Sequence, residues 1–130
     1  MKYFYLSNPY NGTDEQKVER AQFAANACGR LIKDRVFTLS PIVHNHAMMK
    51  TYNDFSLEER RSIFLDFDFS LLAASKGMIV LKIEGWEESY GVTKEIEFCE
   101  KKNIPVYYYT PEEIESGIAT SALRSFKYRR

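Results

Sequence analysis

Met78-Ile79-Val80-Leu81 sets four apolar side chains at consecutive positions. Successive side chains of a strand point to opposite faces, so a strand over Gly77 to Ile83 has no wet side and must be covered above and below. The flanking segments supply that cover. Strands are predicted over Lys2–Ser7, Val36–Ser40 and Ile104–Tyr109, the second stopped by Pro41. Thr13-Asp14-Glu15-Gln16 and Ser56-Leu57-Glu58-Glu59 have capping-box spacing and open helices. The first carries Val18, Ala21, Ala25, Cys28 and Ile32 at steps of three and four, and the second runs to about Ser75. A third helix spans about Tyr90 to Lys102. A last one starts at Thr110-Pro111-Glu112-Glu113, with proline where a helix start tolerates it. Strand and helix therefore alternate four times, which argues for a parallel sheet of four to five strands between two helical layers. Ile42 to Asp54 shows no clear periodicity.

A chain of 130 residues makes one domain, 1–130, with room for a single core. Its formal net charge of zero argues against a general nucleic-acid binder, which needs a basic excess. The cationic end, Arg124, Lys127, Arg129 and Arg130, reads as a solvated tail. Two cysteines, Cys28 and Cys99, fall at apolar helix positions and read as buried free thiols in a reducing compartment. No apolar run reaches membrane-spanning length, and Met1 to Leu6 is too short for a signal-peptide core. A cytoplasmic protein without membrane or nucleic-acid partners is the expectation.

Ligands of parallel sheets bind beyond the carboxyl ends of the strands, where residues 8–12, 41–55 and 84–91 converge. Two acids point to chemistry there. Glu95 falls inside the apolar arc of its helix with Val92, Ile96, Phe98 and Cys99, one turn from the helix start. Asp68 repeats the anomaly among Phe64, Leu71 and Leu72. Inward carboxylates are paired, protonated or working on a ligand. The plainer alternatives are an acid at the core rim for Glu95 and a bond to buried backbone for Asp68. Ser89 stands at the helix N-cap with Gly91 behind it, a place suited to an anion or to a simple cap.

Three stretches, Tyr5-Leu6-Ser7-Asn8-Pro9, Asp68-Phe69-Ser70-Leu71-Leu72-Ala73-Ala74-Ser75 and Gly85-Trp86-Glu87-Glu88-Ser89-Tyr90-Gly91-Val92-Thr93-Lys94-Glu95-Ile96, resemble the nucleoside 2-deoxyribosyltransferase superfamily. They are closest in pattern to its 2′-deoxynucleoside 5′-phosphate N-hydrolases and their small relatives. The resemblance implies a flavodoxin-like (Rossmann-like) fold and cleavage or transfer at the N-glycosidic bond of a nucleoside 5′-monophosphate. It casts Glu95 as nucleophile on C1′, Asp68 as the acid assisting the leaving base, and Tyr5 as the residue orienting Glu95. Ser89 matches a phosphate-binding serine. Ser121, in Thr120-Ser121-Ala122-Leu123-Arg124, matches a phosphate contact made from a neighbouring subunit, which implies a homodimer or higher homo-oligomer.

Asn8 and Tyr10 belong to the first loop of the expected cleft and, with Gly91, complete its lining. His44, in a loop along the cleft, is expected near base or sugar or in a structural hydrogen bond. Trp86 either stacks on a base or packs its loop shut. His44-Asn45-His46 lacks the companions of a zinc site, so no metal or organic cofactor is implied. Two other readings stand beside the glycosidic one: a non-catalytic nucleotide sensor, and a hydrolase of another ribosyl donor such as NAD.

Overall fold

A computed structural model describes residues 2–49, 51 and 55–127, with the side chains of 125–127 left aside. Arg129, Arg130 and the end of the Ile42–Asp54 segment lie outside the described residues. Four strands, β1 (Phe4–Ser7), β2 (Thr38–Leu39), β3 (Gly77–Leu81) and β4 (Val106–Tyr109), form one sheet in the order β2-β1-β3-β4, and every pairing is parallel. This order is that of flavodoxin-like sheets, with the topological switch between β1 and β3.

The alternation of side chains along β1 and β3 builds two cores. Phe4, Leu6, Ile79 and Leu81 face α1 (Asp14–Lys33), together with Ile114 of α5 (Pro111–Glu115) and Ala119 and Leu123 of α6 (Ile118–Lys127). Tyr5, Met78 and Val80 face the other way, against Leu72 of α3 (Leu57–Ala73) and Val92 and Cys99 of α4 (Tyr90–Lys102). Phe69 and Phe98 stack at 4.6 Å where α3 meets α4. The expected three-layer α/β/α architecture is thus present, with a four-stranded sheet.

Three local expectations are corrected. Pro41–Met49 is a helix, α2, and not an aperiodic loop. Ser40 and Pro41 explain it: the Ser40 hydroxyl accepts from the Val43 amide at 3.2 Å, as an N-cap does, and proline opens the first turn. The buried stripe of α1 is Ala21, Ala24, Ala27 and Leu31, while Val18 and Ile32 are exposed. The helix is turned so that small alanines meet the sheet closely. Cys28 is accordingly only half-buried, whereas Cys99 is buried; both are free thiols. The single last helix is two, parted at Gly117, whose φ of 87° suits glycine best.

Among the described residues, no helix is long and apolar enough to cross a membrane.

Candidate active site

A cleft of about 470 Å³ opens beyond the carboxyl ends of β1 and β3, a size typical of small-molecule sites. Its floor is the end of β1. Tyr5 and Ser7, two residues apart, share one face of the strand, and both aim at α4. The Tyr5 hydroxyl donates to Glu95 Oε2, and Ser7 Oγ donates to Glu95 Oε1 at 2.6 Å. Each carboxylate oxygen thus has one donor, and Glu95 is only 6% exposed.

That burial is the dominant influence on Glu95, raising its pKa to about 7; the Ser7 and Tyr5 bonds pull the other way, and the charge of Asp68 pushes it up further. Asp68, on α3, is likewise lifted to about 7 by burial, against the hydrogen bond from Asn45. Two carboxyl groups poised near neutrality can share the roles of ionised nucleophile and protonated acid. Tyr5 is raised well above its usual value by burial and by the neighbouring Glu95, so it stays a proton donor.

Asp68 is held from α2. Asn45 Nδ2 donates to Asp68 Oδ1 at 3.3 Å, and Asn45 Oδ1 faces His44 Nδ1 at 3.0 Å. Since the Asn45 oxygen is an acceptor, His44 Nδ1 carries the proton in this arrangement. His44 itself is exposed, packs its ring on Phe67, and does not line the cleft. Its bond to Asn45 is of the structural kind expected as the alternative to a place beside base or sugar.

Ser89 begins α4 as an N-cap, its hydroxyl accepting from the Val92 amide at 3.2 Å. Ser89 and Gly91 both line the cleft. The cap and the anion site are therefore compatible: the hydroxyl keeps its own proton to donate, at the positive end of the helix. Asn8 and Tyr10 line the opposite wall, with the Tyr10 hydroxyl 2.6 Å from His46 Nδ1. After Ile83 the chain turns at Gly85, φ 89°, into the loop that delivers Ser89.

Trp86 lies outside the cleft. It is half-buried against Tyr108, ring centroids 5.6 Å apart, and so packs its loop onto the sheet. Ser121 is exposed on α6, also away from the cleft. The preceding Thr120 donates to Asp34 Oδ2 at 2.9 Å, at the C-cap of α1, which is the sheet edge opposite the cleft. Within one chain Ser121 cannot reach the ligand.

Several lining residues are additions. Ser7 was legible as the i+2 neighbour of Tyr5. Arg60 and Arg61 were legible too, because Leu57, Arg60, Arg61, Phe64, Leu65 and Asp68 all line the cleft at the three-four spacing of one helical face. Arg20, from α1, is a third arginine among the residues that line the cleft. Among the described residues, no group of three or more histidine, cysteine or acidic side chains is placed to hold a metal ion.

Fold and site together define a doubly wound parallel α/β protein with a buried glutamate at its switch-point cleft. The chain belongs to the family described as a domain of unknown function, DUF1937, which matches residues 2–111. The matched region includes every residue of the cleft and ends before Ser121. A comparison with curated proteins returned no match.

Proposed function

We propose that this protein cleaves, or transfers across, the N-glycosidic bond of a 2′-deoxynucleoside or nucleoside 5′-monophosphate. The observation that carries the reading is Glu95: a buried carboxylate at the floor of a ligand-sized cleft, with both oxygens held by hydroxyl donors. A carboxylate fixed in this way suits attack on an electron-poor sugar carbon, because it cannot swing away and its charge faces the oxocarbenium-like transition state. In the first step a Glu95 oxygen bonds to C1′ as the C1′–N bond breaks. Asp68, in its protonated form, gives the departing base its proton. In the second step water, or the N–H of another base, attacks C1′ and gives its proton to the now ionised Asp68, the C1′–O bond of the ester breaks, and Glu95 is returned as a carboxylate. The α4 N-terminus at Ser89 and Gly91 and the arginines of α3 suit the 5′-phosphate.

The test is incubation with a panel of nucleoside and 2′-deoxynucleoside 5′-monophosphates, free base being followed by chromatography, with Glu95→Ala in parallel. Base release abolished in the variant is the expected result. Binding of intact nucleotides with no release, with or without an acceptor base, would replace this reading by the sensor; release of nicotinamide from NAD alone would replace the donor.

A further inference from the structure

The β3–α4 loop runs between two arginines that reach the cleft from opposite faces of the sheet. Arg61, on α3, lies over the ring of Tyr90 at the first residue of α4, 4.6 Å from its centroid. Arg20, on α1, stands near the start of the loop: a methyl group placed on Gly85 would lie 3.4 Å from its Nη2. Helices α1 and α3 belong to the two separate cores, yet Arg20, Gly85, Ser89, Tyr90 and Arg61 all line one cleft.

Neither charge is neutralised by a described residue. Among the described residues the ion pairs are those of Arg30 with Asp34 and Glu115 and of Lys94 with Glu97, so no cleft arginine is in one. Glu88, which lines the cleft from the same loop, is exposed and is in none of these pairs. Glu95 and Asp68, each lifted to about 7 by burial, are only partly ionised at neutral pH. Arg20 holds the β1–α1 loop by donating from Nη1 to the carbonyl oxygen of Asn11. That bond occupies one nitrogen and none of the charge; Nη2, beside Gly85, has no hydrogen bond of its own among the described residues. A single phosphate at the start of α4 would meet Ser89, the free amides of the first turn and Arg61. Arg20, at the other end of the loop, is more than that phosphate needs.

Taking the glycosidic reading above as its premise, we propose that Arg20 binds a second phosphate, so that the donor is a nucleotide with a 5′-diphosphate. The first phosphate lies at Ser89 and Arg61, and the second meets the Arg20 guanidinium at the crevice between β1 and β3. Doubly wound sheets bind pyrophosphates at that switch point, against a helix N-terminus. A guanidinium suits the second group because its fork of N–H donors matches two phosphate oxygens at once. The diphosphate serves as a handle: it stays intact, and the C1′–N bond remains the one that breaks. Two kinds of molecule carry it. One is a nucleoside 5′-diphosphate; the other is a dinucleotide such as NAD, whose second phosphate is esterified to another nucleoside.

The experiment compares ligands matched except for the second phosphate. Deoxyadenosine and deoxycytidine 5′-monophosphates are set against their 5′-diphosphates, and nicotinamide mononucleotide against NAD. Binding is titrated calorimetrically with the full-length Glu95→Gln protein, which leaves the ligand intact. The diphosphate member of at least one pair is expected to bind about tenfold or more tightly. A preference within the deoxynucleotide pairs identifies a nucleoside diphosphate, and one confined to NAD identifies the dinucleotide. Arg20→Ala in the same background is expected to bring the two members within about twofold of each other while the monophosphate keeps its affinity within about twofold. Should Arg20→Ala fail to fold, Arg20→Gln decides, since it removes the charge and keeps an N–H donor for Asn11. Equal weakening of both members would mean that Arg20 only holds the β1–α1 loop, and would overturn the second phosphate site. So would monophosphates that bind as tightly as diphosphates in every pair, or a preference that survives the loss of Arg20; the glycosidic reading would stand in each case. Failure of every nucleotide to bind would overturn both.

Discussion

Ser7 Oγ donates to Glu95 Oε1 across 2.6 Å, from the last residue of β1 to the second turn of α4. The two residues lie 88 positions apart in the chain, and it is the parallel pairing of β1 with β3 that brings them together. Because the serine stabilises the ionised form of a buried acid, it helps to set the pH at which Glu95, the proposed nucleophile, ionises.

Ser7→Ala should therefore raise the Glu95 pKa above its present value of about 7. In a profile of kcat/KM for base release, the acid limb is expected to move to higher pH while the alkaline limb stays. Tyr5→Phe should shift the same limb in the same direction. A profile unchanged in both variants would detach these hydroxyls from Glu95 ionisation.

Asn45→Ala should act on the other limb. The Asn45 bond lowers the Asp68 pKa against burial, so its loss raises that pKa and keeps the acid protonated to higher pH. The alkaline limb is expected to move upward and the active range to widen, the opposite of the narrowing in Ser7→Ala. The two limbs report the carboxyl pair as a coupled unit, and it is the contrast between the variants that tests the assigned roles. Loss of the proposed general acid itself, in Asp68→Asn, should cost roughly 10²–10⁴ in rate.

Stability should carry the same signature. Glu95 and Asp68 are both raised from carboxylate values to about 7. Between their unfolded and folded pKa values the folded chain binds more protons than the unfolded one, so stability falls as pH rises through that interval. The stabilising contribution is whole below the unfolded values and is gone once pH passes the folded ones. Melting temperature, as far as these two groups govern it, is expected to be higher near pH 5 than near pH 8. Glu95→Gln should shrink the difference, which calorimetric scans at the two pH values would measure.

The parts of this molecule legible in the sequence are those dictated by periodicity. The doubly apolar β3 required a covered parallel sheet, and Glu95 and Asp68 stood out because burial makes a charge anomalous on an apolar stripe. Helix α2 was hidden because one of its inward residues, Asn45, is polar while Val43 faces out, so it has almost no amphipathic contrast; only Ser40-Pro41 signals its start. On α1 the large apolar residues misled, since close packing on the sheet favoured alanines over Val18 and Ile32. His44 and Trp86 could not be placed from spacing at all. Each is fixed by a tertiary contact, with Phe67 and Tyr108 respectively.

Arg61 offers the sharpest test of phosphate recognition. Its guanidinium lies over the ring of Tyr90, 4.6 Å from the centroid, at the first residue of α4. It therefore sets a full positive charge beside the partial one of the helix end, within the cleft wall that holds Ser89 and Gly91. A dianionic phosphate there would engage both, and the stacking contact would keep the long side chain from searching other rotamers. Arg61→Ala is expected to raise KM for a 5′-monophosphate about tenfold or more while changing kcat little. The same substitution should leave kcat/KM for the unphosphorylated nucleoside within about twofold, since only the charge-assisted contact is lost. Raising the salt concentration should weaken monophosphate binding in the wild type more than in the variant. Equal losses on both substrates would mean that Arg61 supports the cleft through Tyr90 and does not read the phosphate.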